Sequence, residues 1–261
     1  MLAGGRSVRM GSPKVSLEWH GSTLVRHVVG LVARGVAGPV VVVRAPGQEL
    51  PALPGWTQVA VDEHEGRGPL QGIAAGLAAL QDCAAVYVSS SDCPFLHPAF
   101  VDRVLRALDD EHDAVLPHVH GKPQPLAAVY RPSLLPAVRA LLATDDEASP
   151  RLLLERARTV VLDDEALLRD AALAAADPRL RSLVGLNDPD SYRAARGEAP
   201  PDVTVRMKRD SRPDRVVAAA TLRAAAVAAG AELGAEAAVN RELVVPADPS
   251  YPLVQGDLVE L

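Results

Sequence analysis

The amino-acid sequence predicts an α/β fold: a mostly parallel sheet with helices on both faces, followed by a small C-terminal α+β domain. Three observations carry this. Short β-branched runs alternate with helix-period segments as far as about residue 196, the rhythm of repeated strand–helix units. Hydrophobic residues make up 48% of the 261 positions but aromatics only 3%. Val, Leu and Ala must therefore fill the core, which suits parallel strands buried on both faces. A polar, proline-rich break, Gly197-Glu198-Ala199-Pro200-Pro201-Asp202, then sets off the rest of the chain. The expected domains are residues 1–196 and 202–261, with a linker over 197–201.

The chain opens Met1-Leu2-Ala3-Gly4-Gly5, so a glycine turn arrives with almost no strand to aim it. Either an upstream segment is missing or the first strand is a stub. A continuous Val run predicts a strand over residues 40–43, and others are expected over 57–61, 85–89, 114–116, 126–130 and 159–162. Apolar spacing between them predicts helices over 23–34, 70–80, 98–108 and 132–143. Pro98 and Pro132 fit first helical turns, where the missing N–H costs nothing. After the linker the order reads strand (203–207), helix (221–229), then short strands at 238–240, 243–245 and 258–261.

Composition excludes several classes. A net charge of −6 argues against a general nucleic-acid binder, which would carry a basic face. Cys83 and Cys93 are too far apart for a CxxC site and too few for a disulfide framework, so a reduced, cytoplasmic setting is expected. No apolar run approaches the roughly 20 residues that span a bilayer, and no signal peptide opens the chain. Neither nucleic acid nor membrane is an expected partner.

The chemistry concentrates in Leu2-Ala3-Gly4-Gly5-Arg6-Ser7-Val8-Arg9-Met10-Gly11-Ser12-Pro13-Lys14. Its glycines permit a tight turn that brings backbone N–H groups near an anion. Arg6, Arg9 and Lys14 add cations, and a triphosphate suits such a loop. The spacing is neither GxxxxGK[ST] nor GxGxxG. On local grounds alone, a basic N-terminal tail is the other reading.

This pattern, Leu-Ala-Gly-Gly-x-Ser-x-Arg-Met-Gly-x-x-Lys, resembles the signature of the molybdenum cofactor guanylyltransferases, nucleotidyltransferases built on a Rossmann-like sheet. Later motifs follow in the same order, so the resemblance runs through most of residues 2–196. It implies transfer of GMP from GTP to the phosphate of molybdopterin, forming a molybdopterin guanine dinucleotide and pyrophosphate, with Mg²⁺ as cofactor. By the same resemblance Leu2, Ala3, Gly4, Gly5 and Lys14 bind nucleotide, and Lys14, Arg9 and Asp92 are catalytic.

The later motifs extend this assignment. Asp62 and the turn Gly68-Pro69-Leu70-Gln71-Gly72 stand where the family binds guanine and ribose, although Gly-Pro alone is an ordinary helix start. Asp92 ends the apolar run Val86-Tyr87-Val88 and opens Asp-Cys-Pro-Phe, the family's D-x-P-F motif, whose Asp holds the metal and contacts nucleotide. A helix-capping Asp is the alternative. Gln124 and Pro125 match a polar-Pro-Leu turn on the acceptor side, and Asn187 in Asn187-Asp188-Pro189-Asp190 matches an acceptor-binding asparagine. Here the chain departs from the family: Gly185 stands where a first Asn would fall, and Arg44 replaces an Asn after the Val strand. His118 and His120 form an HxH pair, expected to be solvent-exposed because two His make a poor metal site.

Residues 202–261 resemble the β-grasp sulfur-carrier proteins of molybdopterin and thiamine synthesis, through Val203-Thr204-Val205-Arg206, Val239-Asn240-Arg241-Glu242 and 252–261. The sequence ends at Leu261 without the carriers' Gly-Gly, so a vestigial role, or a docking role toward molybdenum cofactor enzymes or biosynthesis proteins, is expected. The short first strand and absent Gly-Gly also fit truncation at both ends. The competing readings are a related transferase using CTP or a sugar-phosphate acceptor, and a non-catalytic, degenerate transferase acting as an interaction module.

Overall fold

A computed structural model describes residues 1–4, 14–62, 68–144, 148–208 and 213–261. After a single turn at Lys14–Ser16, a tight hairpin of β1 (Glu18–Trp19) and β2 (Ser22–Thr23) feeds α1 (Leu24–Gly35). There follow β3 (Val41–Arg44), β4 (Gln58–Val61), α2 (Pro69–Ala79), β5 (Val86–Ser89) and α3 (Pro98–Leu105). Next come β6 (Ala114–Val119), β7 (Lys122–Pro123), β8 (Ala127–Tyr130), α4 (Leu135–Thr144) and α5 (Pro150–Arg156). The first unit ends with β9 (Thr159–Asp163), α6 (Asp164–Leu168), α7 (Ala171–Ala176) and α8 (Pro189–Arg196).

The stub at the start of the chain holds the sheet together. Leu2 bridges in parallel to Val43 on one side and to Ser90 on the other. Its N–H donates to Ser89 O at 2.8 Å, and the Ala3 N–H donates to Val43 O at 2.8 Å. Residues 1–3 thereby join the β3–β4 pair to β5, giving the order β4-β3-(1–3)-β5-β8-β6-β9. The β3–β4 and β6–β9 pairs are parallel, whereas β8 runs against both β5 and β6. The sheet is mostly parallel, as expected, with β8 reversed because it returns from β6 through the β7 hairpin and needs no crossover helix.

Alternate strand residues feed two apolar layers, as the pleat requires. Val86, Val88, Ala128 and Tyr130 pack with Leu70, Ile73 and Leu77 of α2 and with Val138 of α4. Tyr87, Val115 and Val129 face the other way, onto Leu24, Val28 and Leu31 of α1 and Phe100 and Val104 of α3. Helices thus cover both faces.

Residues 202–261 form a separate sheet from β10 (Asp202–Arg206), β11 (Arg215–Ala218), β12 (Ala237–Val239), β13 (Glu242–Val244) and β14 (Leu258–Glu260), crossed by α9 (Leu222–Ala228). The strand order is β11-β10-β14-β12-β13, with β10 and β14 parallel at the centre. Val203, Val205, Leu222, Val239 and Val259 give it its own core. β11 escaped the sequence reading because its residues are largely exposed and show no clear alternation.

Helix α1 joins the two units. Arg34 clamps the buried Asp257 with two hydrogen bonds of 2.7 and 2.8 Å, and Arg26 pairs with Asp248 at 2.7 Å. Asn240 Nδ2 and the Val254 N–H also donate to Asp257, so this carboxylate is fully engaged. Removing one partner of such a buried pair costs about 3–5 kcal/mol. From the neighbouring position on the same helix, His27 holds the Asp92 segment through a 2.9 Å hydrogen bond between Nε2 and Pro94 O.

Burial pushes the His27 imidazole down from 6.5 to about 4. Between these values the unfolded chain binds a proton that the folded chain does not, so stability falls as the pH drops through this window. The full loss is about 3 kcal/mol. Urea midpoints measured from pH 7 to pH 4 should therefore fall more steeply for the wild type than for His27→Gln, which keeps a donor for Pro94 O. Identical pH slopes would contradict the assignment.

Candidate active site

The site lies at the carboxyl ends of β3, β4 and β5 and the matching end of residues 1–3, where open α/β sheets bind ligands. Lys14 Nζ donates to Asp92 Oδ2 at 2.9 Å and to Asn187 Oδ1 at 3.1 Å. The three residues come from three distant parts of the chain. Ser90 Oγ donates to the other oxygen of Asp92, and the Leu186 N–H donates to the Asp92 backbone carbonyl at 2.9 Å. Cys93 Sγ lies 3.8 Å from Asp92 Oδ1, and burial, with Asp92 alongside, pushes its thiol up to about 12. It stays neutral and serves packing.

The nucleotide-side residues divide. The N–H groups of Leu2 and Ala3, two of the residues expected to bind nucleotide, are both committed to the sheet. Gly4 packs closely on the exit of β3, since a Cβ there would lie 3.3 Å from Ala45 N. Gly5 and Arg9 lie outside the described residues. Asp62 ends β4, with its N–H on Arg44 O at 2.8 Å. Gly68 adopts φ +77° before Pro69 at the first turn of α2, a conformation that favours glycine. The Leu70 side chain is fully buried and packs the core beneath α2. Gly72 belongs to packing as well: a Cβ there would lie 3.1 Å from Leu2 Cδ2.

The turn carrying Gln124 and Pro125, expected to bind the acceptor, is tied to the segment leading into Asp92. The Ser90 N–H donates to Leu126 O at 3.1 Å, and Tyr130 Oη donates to Pro125 O at 2.8 Å. Asp188 caps α8 in a reciprocal box with Ser191, so the Asp-Pro-Asp segment does start a helix while Asn187 beside it reaches Lys14. Gly185 lies over Asp92, since a Cβ there would be 3.6 Å from Asp92 Oδ1. His120 is exposed, as expected, and its backbone N–H donates to Asp164 Oδ2 at 3.1 Å.

Three contributors were missed by sequence reasoning. Ser90 was hidden in a run of serines whose only signal is its position two residues before Asp92. Gln48 donates to Ala3 O at 3.0 Å and accepts from the Ala45 N–H at 2.9 Å, tying the first strand to the exit of β3. Arg196, at the end of α8, holds the β1–β2 hairpin through Glu18 at 2.6 Å and His20 at 3.0 Å, while Tyr192 Oη donates to Glu18 O at 2.7 Å. This clasp ties the segment after Lys14 to the segment after Asn187.

Lys14 and Asp92 thus place an ammonium directly against a carboxylate at the sheet edge. Fold and site together define a nucleotidyltransferase. A family model described as the MobA-like NTP transferase domain matches residues 1–161. A probable molybdenum cofactor guanylyltransferase from Mycobacterium tuberculosis is 36% identical over 198 residues, 72% of this chain and 90% of that protein. Its counterpart from Mycobacterium ulcerans is 36% identical over 181 residues, 67% of this chain and 88% of that protein. Among solved structures, molybdopterin-guanine dinucleotide biosynthesis protein A from Archaeoglobus fulgidus shares the fold at 23% identity and TM-score 0.58, over 75% of this chain and 94% of that one. A nucleotidyl transferase from Methanothermobacter thermautotroptrophicus does so at 16% identity and TM-score 0.54, over 75% and 93%. The chain belongs to the MobA-like NTP transferase family and is an enzyme. The non-catalytic alternative is thereby set aside.

The clasp makes its own prediction. The Arg196–Glu18 pair is half exposed and worth at most about 1 kcal/mol of stability. Arg196→Met should therefore leave the melting temperature nearly unchanged but lower kcat for nucleotidyl transfer by about five- to tenfold through misplacement of Lys14, with Arg196→Lys partly restoring it. An unaltered kcat would show that the clasp does not position the site.

Proposed function

We propose that the enzyme transfers GMP from GTP to the terminal phosphate of molybdopterin, yielding molybdopterin guanine dinucleotide and pyrophosphate. The observation that carries this reading is the convergence of Lys14, Asp92 and Asn187 within hydrogen-bond distance of one ammonium. The guanylyl donor and pterin acceptor draw support from the names of the 36%-identical relatives and from the Gly68-Pro69-Leu70 turn that follows Asp62 in sequence.

In the reaction, an oxygen of the acceptor phosphate attacks the α-phosphorus of GTP in line, and the bond to the β-phosphate bridging oxygen breaks. That oxygen departs with pyrophosphate. No nucleophilic side chain is required, because the acceptor phosphate is already ionised at neutral pH. Lys14 stabilises charge on the triphosphate, and Asn187 and the Gln124–Pro125 turn border the acceptor side. Gln48 ties residues 1–3 to the exit of β3. Catalysis then comes from position and electrostatics.

The residues also fit a hard divalent cation such as Mg²⁺, since an ammonium already lies between the oxygens of Asp92 and Asn187. Among the described residues no group of three or more His, Cys, Asp or Glu could hold a metal by itself. One carboxylate completed by substrate phosphates is a common arrangement for Mg²⁺. Asp92 would hold the ion, which when bound neutralises charge on the phosphates.

For the second unit we propose a β-grasp domain spanning residues 202–261, with residues 1–196 as the transferase domain and 197–201 as the linker. The central parallel pair β10–β14 and the single crossing helix α9 support this. A docking role toward proteins of molybdenum cofactor biosynthesis suits a module already anchored on α1. Among the described residues no helix is long and apolar enough to cross a membrane.

Pyrophosphate release measured with GTP, CTP and ATP, with and without molybdopterin, tests the reaction. Release should require both GTP and the acceptor, and Asp92→Ala should lower it by at least about a thousandfold without loss of fold. Preference for CTP would overturn the donor assignment, and an active Asp92→Ala enzyme would overturn the role of Asp92.

A further inference from the structure

The Lys14 ammonium is held where Asp92 Oδ2 and Asn187 Oδ1 converge, at 2.9 and 3.1 Å. The remaining oxygen of Asp92 accepts from Ser90 Oγ. A divalent ion arriving alone would therefore find one carboxylate whose two oxygens are already engaged by donors. Among the described residues no group of three or more His, Cys, Asp or Glu stands ready to hold the ion by itself. Lysine differs from such an ion in one useful respect. Its charge rides on a flexible four-carbon arm, and this side chain keeps 20% of its surface exposed, so it can exchange one anion for another.

We propose that Lys14 is a cation gate: in the nucleotide-free enzyme its ammonium occupies the cation position at Asp92 and holds divalent metal off. The triphosphate opens the gate by giving the ammonium a more highly charged partner and supplying the phosphate oxygens that the ion lacks. Metal and nucleotide then bind as a unit, and uncomplexed metal does not load the site ahead of substrate. This rests on the nucleotidyl-transfer reading and adds an order of binding to it. It assigns Lys14 opposite effects in the two states: before the nucleotide arrives it opposes the metal, and afterwards it helps to retain the metal–nucleotide complex.

Mn²⁺ is the probe, with binding to the full-length protein followed by the paramagnetic resonance signal of the free ion. Without nucleotide, Lys14→Met should bind Mn²⁺ at least about tenfold more tightly than the wild type, since a unit charge has left the neighbourhood of the carboxylate. With GTP present the order should reverse, the variant retaining Mn²⁺–GTP at least about tenfold more weakly. Adding Asp92→Asn to Lys14→Met should erase the gain seen without nucleotide, which ties the gain to Asp92. Lys14→Gln provides the same measurement should the methionine variant fold poorly. Equal Mn²⁺ affinities without nucleotide would overturn the proposal. So would a variant that binds more tightly in both states, because a lysine fixed on Asp92 throughout would oppose the metal throughout. Pyrophosphate release by the same wild-type preparation separates failure of the gate from failure of the reading beneath it.

Discussion

The ion pair between Lys14 and Asp92 spans 78 residues of sequence, and the architecture of the first unit can be read as the means of bringing its ends together. Residues 1–3 lie between β3 and β5, so the chain entering the glycine loop and the chain leaving β5 exit the sheet side by side. Each charge is partly withdrawn from water, and each limits the other's cost of desolvation. The hydrogen bond from Ser90, the Leu186 N–H on the Asp92 carbonyl and the approach of Asn187 then restrict where that carboxylate can lie. Preorganisation of this kind is what electrostatic catalysis of phosphate transfer requires.

Helix α1 extends this arrangement outward. His27 grips Pro94 O, just beyond Asp92, while Arg26 and Arg34 on the same helix grip the second sheet. The Asp92 segment and the C-terminal unit therefore share one rigid support. Packing two separate cores beside a common helix leaves the transferase sheet complete on its own terms, and among the described residues the bonds around Asp92 all come from the first unit.

Much of this was legible in the residues. Continuous Val runs fixed β3 and the start of β5, because strands buried on both faces leave no polar alternation to blur the signal. The proline-rich break marked where the second sheet begins. Strand direction was less accessible: nothing in the period of residues 126–130 distinguishes a reversed β8 from a parallel one, and only the short β7 turn decides it. Motif residues also carry structural work that their motif does not display: the N–H groups of Leu2 and Ala3 join the sheet ladder, and Leu70 and Gly72 pack against the core. Backbone hydrogen-bond partners are a property of the fold, which a motif does not display. Gln48 and Arg196 escaped for the same reason, since each acts by tying together segments that sequence order keeps apart.

The most direct test of whether Lys14 and Asp92 act on one substrate is a double-mutant cycle on kcat/KM for GTP with Lys14→Met and Asp92→Asn. If both residues serve the same triphosphate, the losses will be strongly non-additive, with the double variant little worse than the poorer single one. Losses that simply add in free energy would mean that the two residues act independently, and the convergence at the sheet edge would not be the working centre of the enzyme.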